Sequence, residues 1–137
     1  MKTLRLILGD QLNPNHSWFK TSNDDIYYVL MEVKQETSYV LHHAQKIIAT
    51  FAAMRDFKEF LLKNNHHVIY IKINDKDNQQ CFKSNLNALL KVHHIQKFEY
   101  QEPDESRLDK ELKIFVVKLL YHQHVSHQNI FIQVVMR

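Results

Sequence analysis

The residues most able to do chemistry gather at Gly9-Asp10-Gln11, where an apolar run over residues 3–12 breaks at the only glycine of a 137-residue chain. A glycine there supplies the permissive backbone needed where a strand turns sharply or a ligand comes close. A second apolar run, residues 26–32, ends in Glu32, and the helix that follows opens with Glu36, Tyr39, His42, His43 and Lys46. In a parallel sheet these groups share one edge. A ring ligand there could stack on Tyr39, accept hydrogen bonds from or donate them to Asp10, Gln11 and Glu36, and meet Lys46 with a phosphate or carbonyl. The same residues also fit simpler roles: Gly9-Asp10 as a strand-to-loop turn, Glu36 as a first-turn carboxylate favouring the helix dipole, and Lys46 as a solvated cation. Both readings fit the same residues.

Other chemistries find less support. The chain has no Gly-x-Gly-x-x-Gly and no Gly-Lys-Ser/Thr phosphate loop, which argues against dinucleotide binding and P-loop hydrolysis. The pairs His42-His43, His66-His67 and His93-His94 are neighbours in sequence, so their side chains diverge on a helix or strand and make poor metal sites. No Ser/His/acid or Cys/His spacing stands out as nucleophilic. The single cysteine, Cys81, excludes an internal disulfide framework and cannot by itself hold an iron–sulfur cluster.

The elements that must position the candidate groups alternate in type. Residues 4–8 read as a buried strand, residues 13–25 as a long loop of turn formers, and residues 26–32 as a second strand. Ser38 or Thr37 caps a helix running to about Asn64, with Tyr39, His43, Ile47, Thr50, Phe51, Met54, Phe57 and Leu61 at three- and four-residue steps. Asn64-Asn65 ends it. Residues 67–73 form a third strand, Phe82, Leu86, Leu89 and Leu90 mark a second helix, and residues 97–100 a fourth strand. A third helix runs from Asp104 to about Leu119 behind Pro103. Residues 130–135 have strand composition and could add a fifth strand. The pattern is that of an α/β domain with a mostly parallel sheet of four to five strands and helices on both faces, in the Rossmann- or flavodoxin-like class. Its length makes it a single domain over residues 1–137.

Hydrophobic residues at 45% and charged residues at 24% describe an ordinary globular chain. A formal charge of +3, with lysines scattered among acids, gives no strong nucleic-acid signal. No apolar run approaches the roughly 20 residues of a membrane span, and the N-terminus does not resemble a signal peptide, so a cytoplasmic location is expected.

The motifs taken together resemble something more specific. Residues 6–12, Glu32-Val33 with Glu36, Ser38-Tyr39-Val40, His42-His43, Lys46-Ile47, Phe51, Ala53-Met54-Arg55 and Phe57 are similar to the N-terminal domain of the photolyase-related proteins, the iron–sulfur bacterial cryptochromes and (6-4) photolyases. Asp75-Lys76-Asp77-Asn78 and residues 102–109 resemble two further segments of that family, so that the likeness covers about residues 4–115. The resemblance implies a flavodoxin-like, five-stranded parallel domain that, in full-length members, carries a lumazine antenna chromophore. It implies Gly9, Asp10, Gln11, Met31, Glu36, Tyr39, Lys46, Ile47, Thr50 and Met54 as the residues around that chromophore, 6,7-dimethyl-8-ribityllumazine or another flavin-like ring. The family is one of light-dependent DNA repair, with reduced FAD and a four-iron cluster in a large helical region. Neither FAD nor an iron–sulfur cluster is expected in this chain, which is therefore expected to be inactive alone.

Residues 124–137 look unlike the family. One back-translation of them, read in a shifted frame, yields Glu-His-Phe-Tyr-Thr-Ser-Arg, a string resembling the family's own after its last N-terminal strand. The expectation is a frameshift near residues 113–124 that leaves a truncated remnant, with a small-molecule chromophore as partner or, alternatively, an empty pocket and a homodimer formed through exposed surface.

Overall fold

The computed structural model describes residues 1–34, 44–126 and 130–135. Five strands, β1 (Thr3–Leu6), β2 (Ile26–Met31), β3 (His67–Ile71), β4 (Lys97–Gln101) and β5 (Phe131–Val135), form one sheet in the order β3-β2-β1-β4-β5. Every neighbouring pair is parallel. Three helices connect them: α1 (Ala44–Lys63), α2 (Phe82–Val92) and α3 (Ser106–Ser126). The expected α/β class is the observed one, and the strand order is that of a doubly wound Rossmann sheet short of its sixth strand.

Side chains alternate across the sheet, and the alternation sorts the core into two layers. Leu4, Leu6, Leu8, Val29, Met31, Phe98 and Tyr100 pack against α2 and α3 through Leu86, Leu90, Leu108, Leu112 and Phe115. Ile7, Tyr28 and Leu30 lie on the opposite face, against Met54, Phe57 and Leu61 of α1. Each such buried aliphatic or aromatic side chain contributes about 1.5–3 kcal/mol relative to exposure. β1 lies at the centre with both faces covered: Leu4 and Leu6 fill one layer, Arg5 lies under Trp18 on the other, and the chain runs on apolar through Ile7 and Leu8.

The long loop after β1 holds more structure than its composition suggests. Ser17–Phe19 is a single 3-10 turn, with the His16 ring accepting a 3.1 Å hydrogen bond from the Trp18 N–H. It turns Trp18 and Phe19 into the α1-side core. Arg5 stacks its guanidinium 4.9 Å from the Trp18 ring centre and pairs with Glu99 at 3.3 Å. The Tyr28 hydroxyl donates to the Trp18 carbonyl at 2.8 Å.

Element ends differ from expectation for local reasons. Asn65 takes a left-handed φ of 63° and stops α1, as Asn64-Asn65 suggested. β3 ends at Ile71 instead of 73, because the Ile73 N–H leaves the strand ladder for the Glu32 carboxylate at 3.1 Å. α3 runs on to Ser126, past Leu119. The last stretch does supply the fifth strand, in register from Lys97↔Phe131 to Gln101↔Val135.

Candidate functional site at the carboxyl edge of the sheet

In a doubly wound sheet the crevice for ligands opens outside the carboxyl ends of the strands, where the chain's progress across the sheet reverses. Here that point lies between β1 and β4: from β1 the chain steps to β2 and β3, then crosses back through α2 to β4. Gly9 and Gln101 stand at the two strand exits.

Gly9 has no positive φ, so the backbone freedom expected of it is not what the position uses. What it provides is space. A Cβ built on Gly9 would lie 2.8 Å from the Thr50 methyl and 3.4 Å from the Met54 sulfur. α1 thus rides directly over the β1 exit, held in its own geometry by the Thr50 hydroxyl donating to the Lys46 carbonyl at 2.8 Å. Met54 is buried, Ile47 and Thr50 are partly buried, and Lys46 and Asp10 are exposed.

Gln11 is buried at 2% exposure and works as a brace. Its carbonyl oxygen accepts from the Leu8 N–H at 3.1 Å, and its amide donates to the Gln101 carbonyl at 3.2 Å. One side chain therefore ties the exit of β1 to that of β4. Gln101 is equally buried, and its side-chain Nε2 has no hydrogen-bond partner among the described residues.

The exits of β2 and β3 are closed by a polar network that sequence reasoning missed. Glu32, expected as an open group at the site's edge, is fully buried. Arg55 grips its carboxylate with Nε at 2.7 Å and Nη2 at 2.8 Å, and the Tyr70 hydroxyl donates to the same carboxylate. Burial pushes the Glu32 carboxyl up, but the bonds from Arg55, Tyr70 and the Ile73 N–H outweigh it and hold the group below the ordinary carboxylate range. Burial together with the Glu32 contact raises the Tyr70 hydroxyl well above its usual value. Asn78 continues the network, donating to the Glu32 carbonyl at 2.7 Å and accepting from Asn85 at 3.0 Å. The signal in the sequence was one acid ending an apolar strand and one arginine on the helix that covers it, but their pairing spans 23 residues.

The structure therefore brings Gly9, Thr50 and Met54 into contact, with Ile47 and Lys46 on the same helix and Asp10 and Gln11 on the same strand exit. It does not bring Met31 to them: that side chain packs in the opposite core layer, where its sulfur accepts from the Asn85 amide at 3.6 Å. Glu36 and Tyr39, with His42 and His43, lie outside the described residues. Among the described residues no three His, Cys, Asp or Glu side chains gather as a metal site, and no helix is long and apolar enough to cross a membrane.

Comparison with known proteins agrees with the sheet and extends along it. A family model described as deoxyribodipyrimidine photo-lyase-related protein matches residues 5–134, past residue 115, the expected limit of the likeness, and into the stretch from residue 124 that looked unlike the family. A (6-4) photolyase of Agrobacterium fabrum is 37% identical over 118 residues, which is 84% of this chain and 23% of that protein. The chain thus spans about a quarter of the length of its curated relative.

Proposed function

Because the chain belongs to the deoxyribodipyrimidine photo-lyase-related protein family, we propose that it is the α/β part of a light-dependent DNA-repair protein and binds a lumazine- or flavin-like ring. The observation that carries this is the convergence of Gly9, Thr50 and Met54 at the crevice between β1 and β4. The missing side chain of Gly9 lets α1 close on the β1 exit and sets the Met54 thioether beside it, a soft, polarisable partner for an aromatic system. Ile47 extends the apolar wall, and Tyr39 stacks on the ring. Asp10, Glu36 and Lys46 meet its polar groups, while Gln11 holds the strand exit in shape. Met31 supports the exit of β2 from behind. When bound, the ring supplies light absorption in the near ultraviolet and blue.

Repair itself, the activity named for the (6-4) photolyase relative, is assigned to a protein about four times the matched length, so the chain alone is proposed to bind and not to catalyse. The test is a titration of the 137-residue chain with 6,7-dimethyl-8-ribityllumazine, FMN and FAD, followed by absorbance and fluorescence. Binding of at least one ring at or below roughly tens of micromolar, about 6–7 kcal/mol, is the expected result. No spectral change with any of the three overturns the reading.

A second reading is favoured by the surface. Ile114, Val117, Leu120 and Tyr121 form an exposed apolar stripe on α3, and Phe131 and Val134 are exposed on β5, which ends the sheet. β5 carries no charge and no proline, so its outer edge is self-complementary and suits a second copy of this chain.

A further inference from the structure

We propose that Gln101 reads the polar edge of the bound ring, its carboxamide pairing with a pyrimidinedione edge. This rests on the ring-binding reading above and names the chemical class that the site selects.

Gln101 is the last residue of β4 and stands one step beyond the Leu6↔Tyr100 pair, beside Ile7 of the central strand. Two residues back along β4, Glu99 reaches across to Arg5 on the face that carries Trp18 and Tyr28. Alternation puts the Gln101 side chain on that same face, the one α1 covers, with Gly9 two residues past Ile7 on it. The main chain of Gln101 is fully engaged: its carbonyl accepts from Gln11, and its strand pairs with β5 opposite Val135. The side chain differs. It is 2% exposed, yet its Nε2 has no hydrogen-bond partner among the described residues.

A buried amide nitrogen with no partner is rare, because water would have satisfied it in the unfolded chain. The other buried side-chain amides, Gln11, Asn78 and Asn85, all donate hydrogen bonds, and the exception sits at the exit of β4. A ligand that restores the missing bond gains affinity from a group that the protein already holds desolvated and fixed, with little ordering left to be done. A carboxamide presents a donor and an acceptor side by side. The pyrimidinedione edge shared by lumazines and flavins presents a carbonyl, an N–H and a second carbonyl, so the two edges can join through a pair of parallel hydrogen bonds. The Gln11 brace fixes the backbone from which Gln101 projects.

The experiment compares the wild-type chain with Gln101→Met, similar in shape but without the amide, in fluorescence titrations with 6,7-dimethyl-8-ribityllumazine and its N3-methyl derivative. Wild type is expected to bind the parent ring about 10-fold more tightly than Q101M does, one good hydrogen bond's worth. Methylation at N3 should weaken wild-type binding by a similar factor and leave Q101M unchanged. The thermal midpoint of Q101M without ligand should not fall, since an unpartnered amide has been removed; a merely structural residue would lower it. Equal affinity of the two proteins for the parent ring overturns the role of Gln101 while leaving ring binding intact. A loss of binding that accompanies a lowered midpoint and ignores N3 methylation overturns it too. If wild type binds neither ring, the ring-binding reading falls and this inference with it.

Discussion

Gly9 is a hydrogen where any other residue would need a Cβ, because the Thr50 methyl stands 2.8 Å from where that atom would be. Gly9→Ala should therefore destabilise the protein by about 1–3 kcal/mol through overpacking, read as a lowered urea midpoint with an unchanged slope. Thr50→Ser removes the methyl and keeps the hydroxyl that bonds the Lys46 carbonyl, so the double variant should recover most of the loss. If G9A costs the same with and without T50S, the close approach is not what fixes the glycine. The sequence singles out Gly9 by its position, but not the crowding that excludes a side chain there. A lone glycine at the end of an apolar strand is legible from spacing, but the methyl that crowds it is 41 residues away and visible only when α1 is laid over β1. Gln11 and Gln101 show the same limit, since a brace across 90 residues leaves no local pattern.

Among elements, β2, β3 and α1 are locked together at one corner by the Glu32 carboxylate, which takes two bonds from Arg55, one from Tyr70 and one from the Ile73 N–H. Glu32→Gln would break the charge pair and leave donors facing an amide. Arg55 is 47% exposed and can turn to water, so the cost should be about 2 kcal/mol instead of the 3–5 typical of a fully buried pair. The pH dependence follows from the lowered carboxyl pKa. Between that value and the unfolded one near pH 4.3, the unfolded chain binds more protons than the folded one, so the contribution is complete above about pH 4.3 and disappears as pH falls through the folded pKa. Denaturant midpoints from neutral to acid pH should show this loss in wild type and not in E32Q. The strands themselves were readable as runs of β-branched and aromatic residues, and α1 and α2 as three- and four-residue repeats. The 3-10 turn at Ser17–Phe19 was not, because Trp18 and Phe19 look like loop residues until Arg5, Tyr28 and Phe57 close around them.

For the whole molecule, the uncharged β5 edge and the apolar stripe on α3 decide whether one copy or two is the working unit. Val134→Lys places a cation on an exposed β5 position, where folding tolerates it and a symmetric partner does not. Light scattering should show wild type shifting toward dimer with rising concentration and V134K remaining monomeric; a wild type that stays monomeric throughout rejects the second reading. The comparison with relatives fits a sheet complete through β5, since the family match runs from residue 5 to residue 134. The strand order has one further effect, on time instead of shape. β1 is synthesised first but lies in the middle, and its pairing from Thr3↔Lys97 to Leu6↔Tyr100 waits for β4. Until β4 is made, the central strand has one open flank. Loop closure over that span is slow, so assembly should take milliseconds to seconds, and the nascent chain is exposed to mispairing for all of that interval.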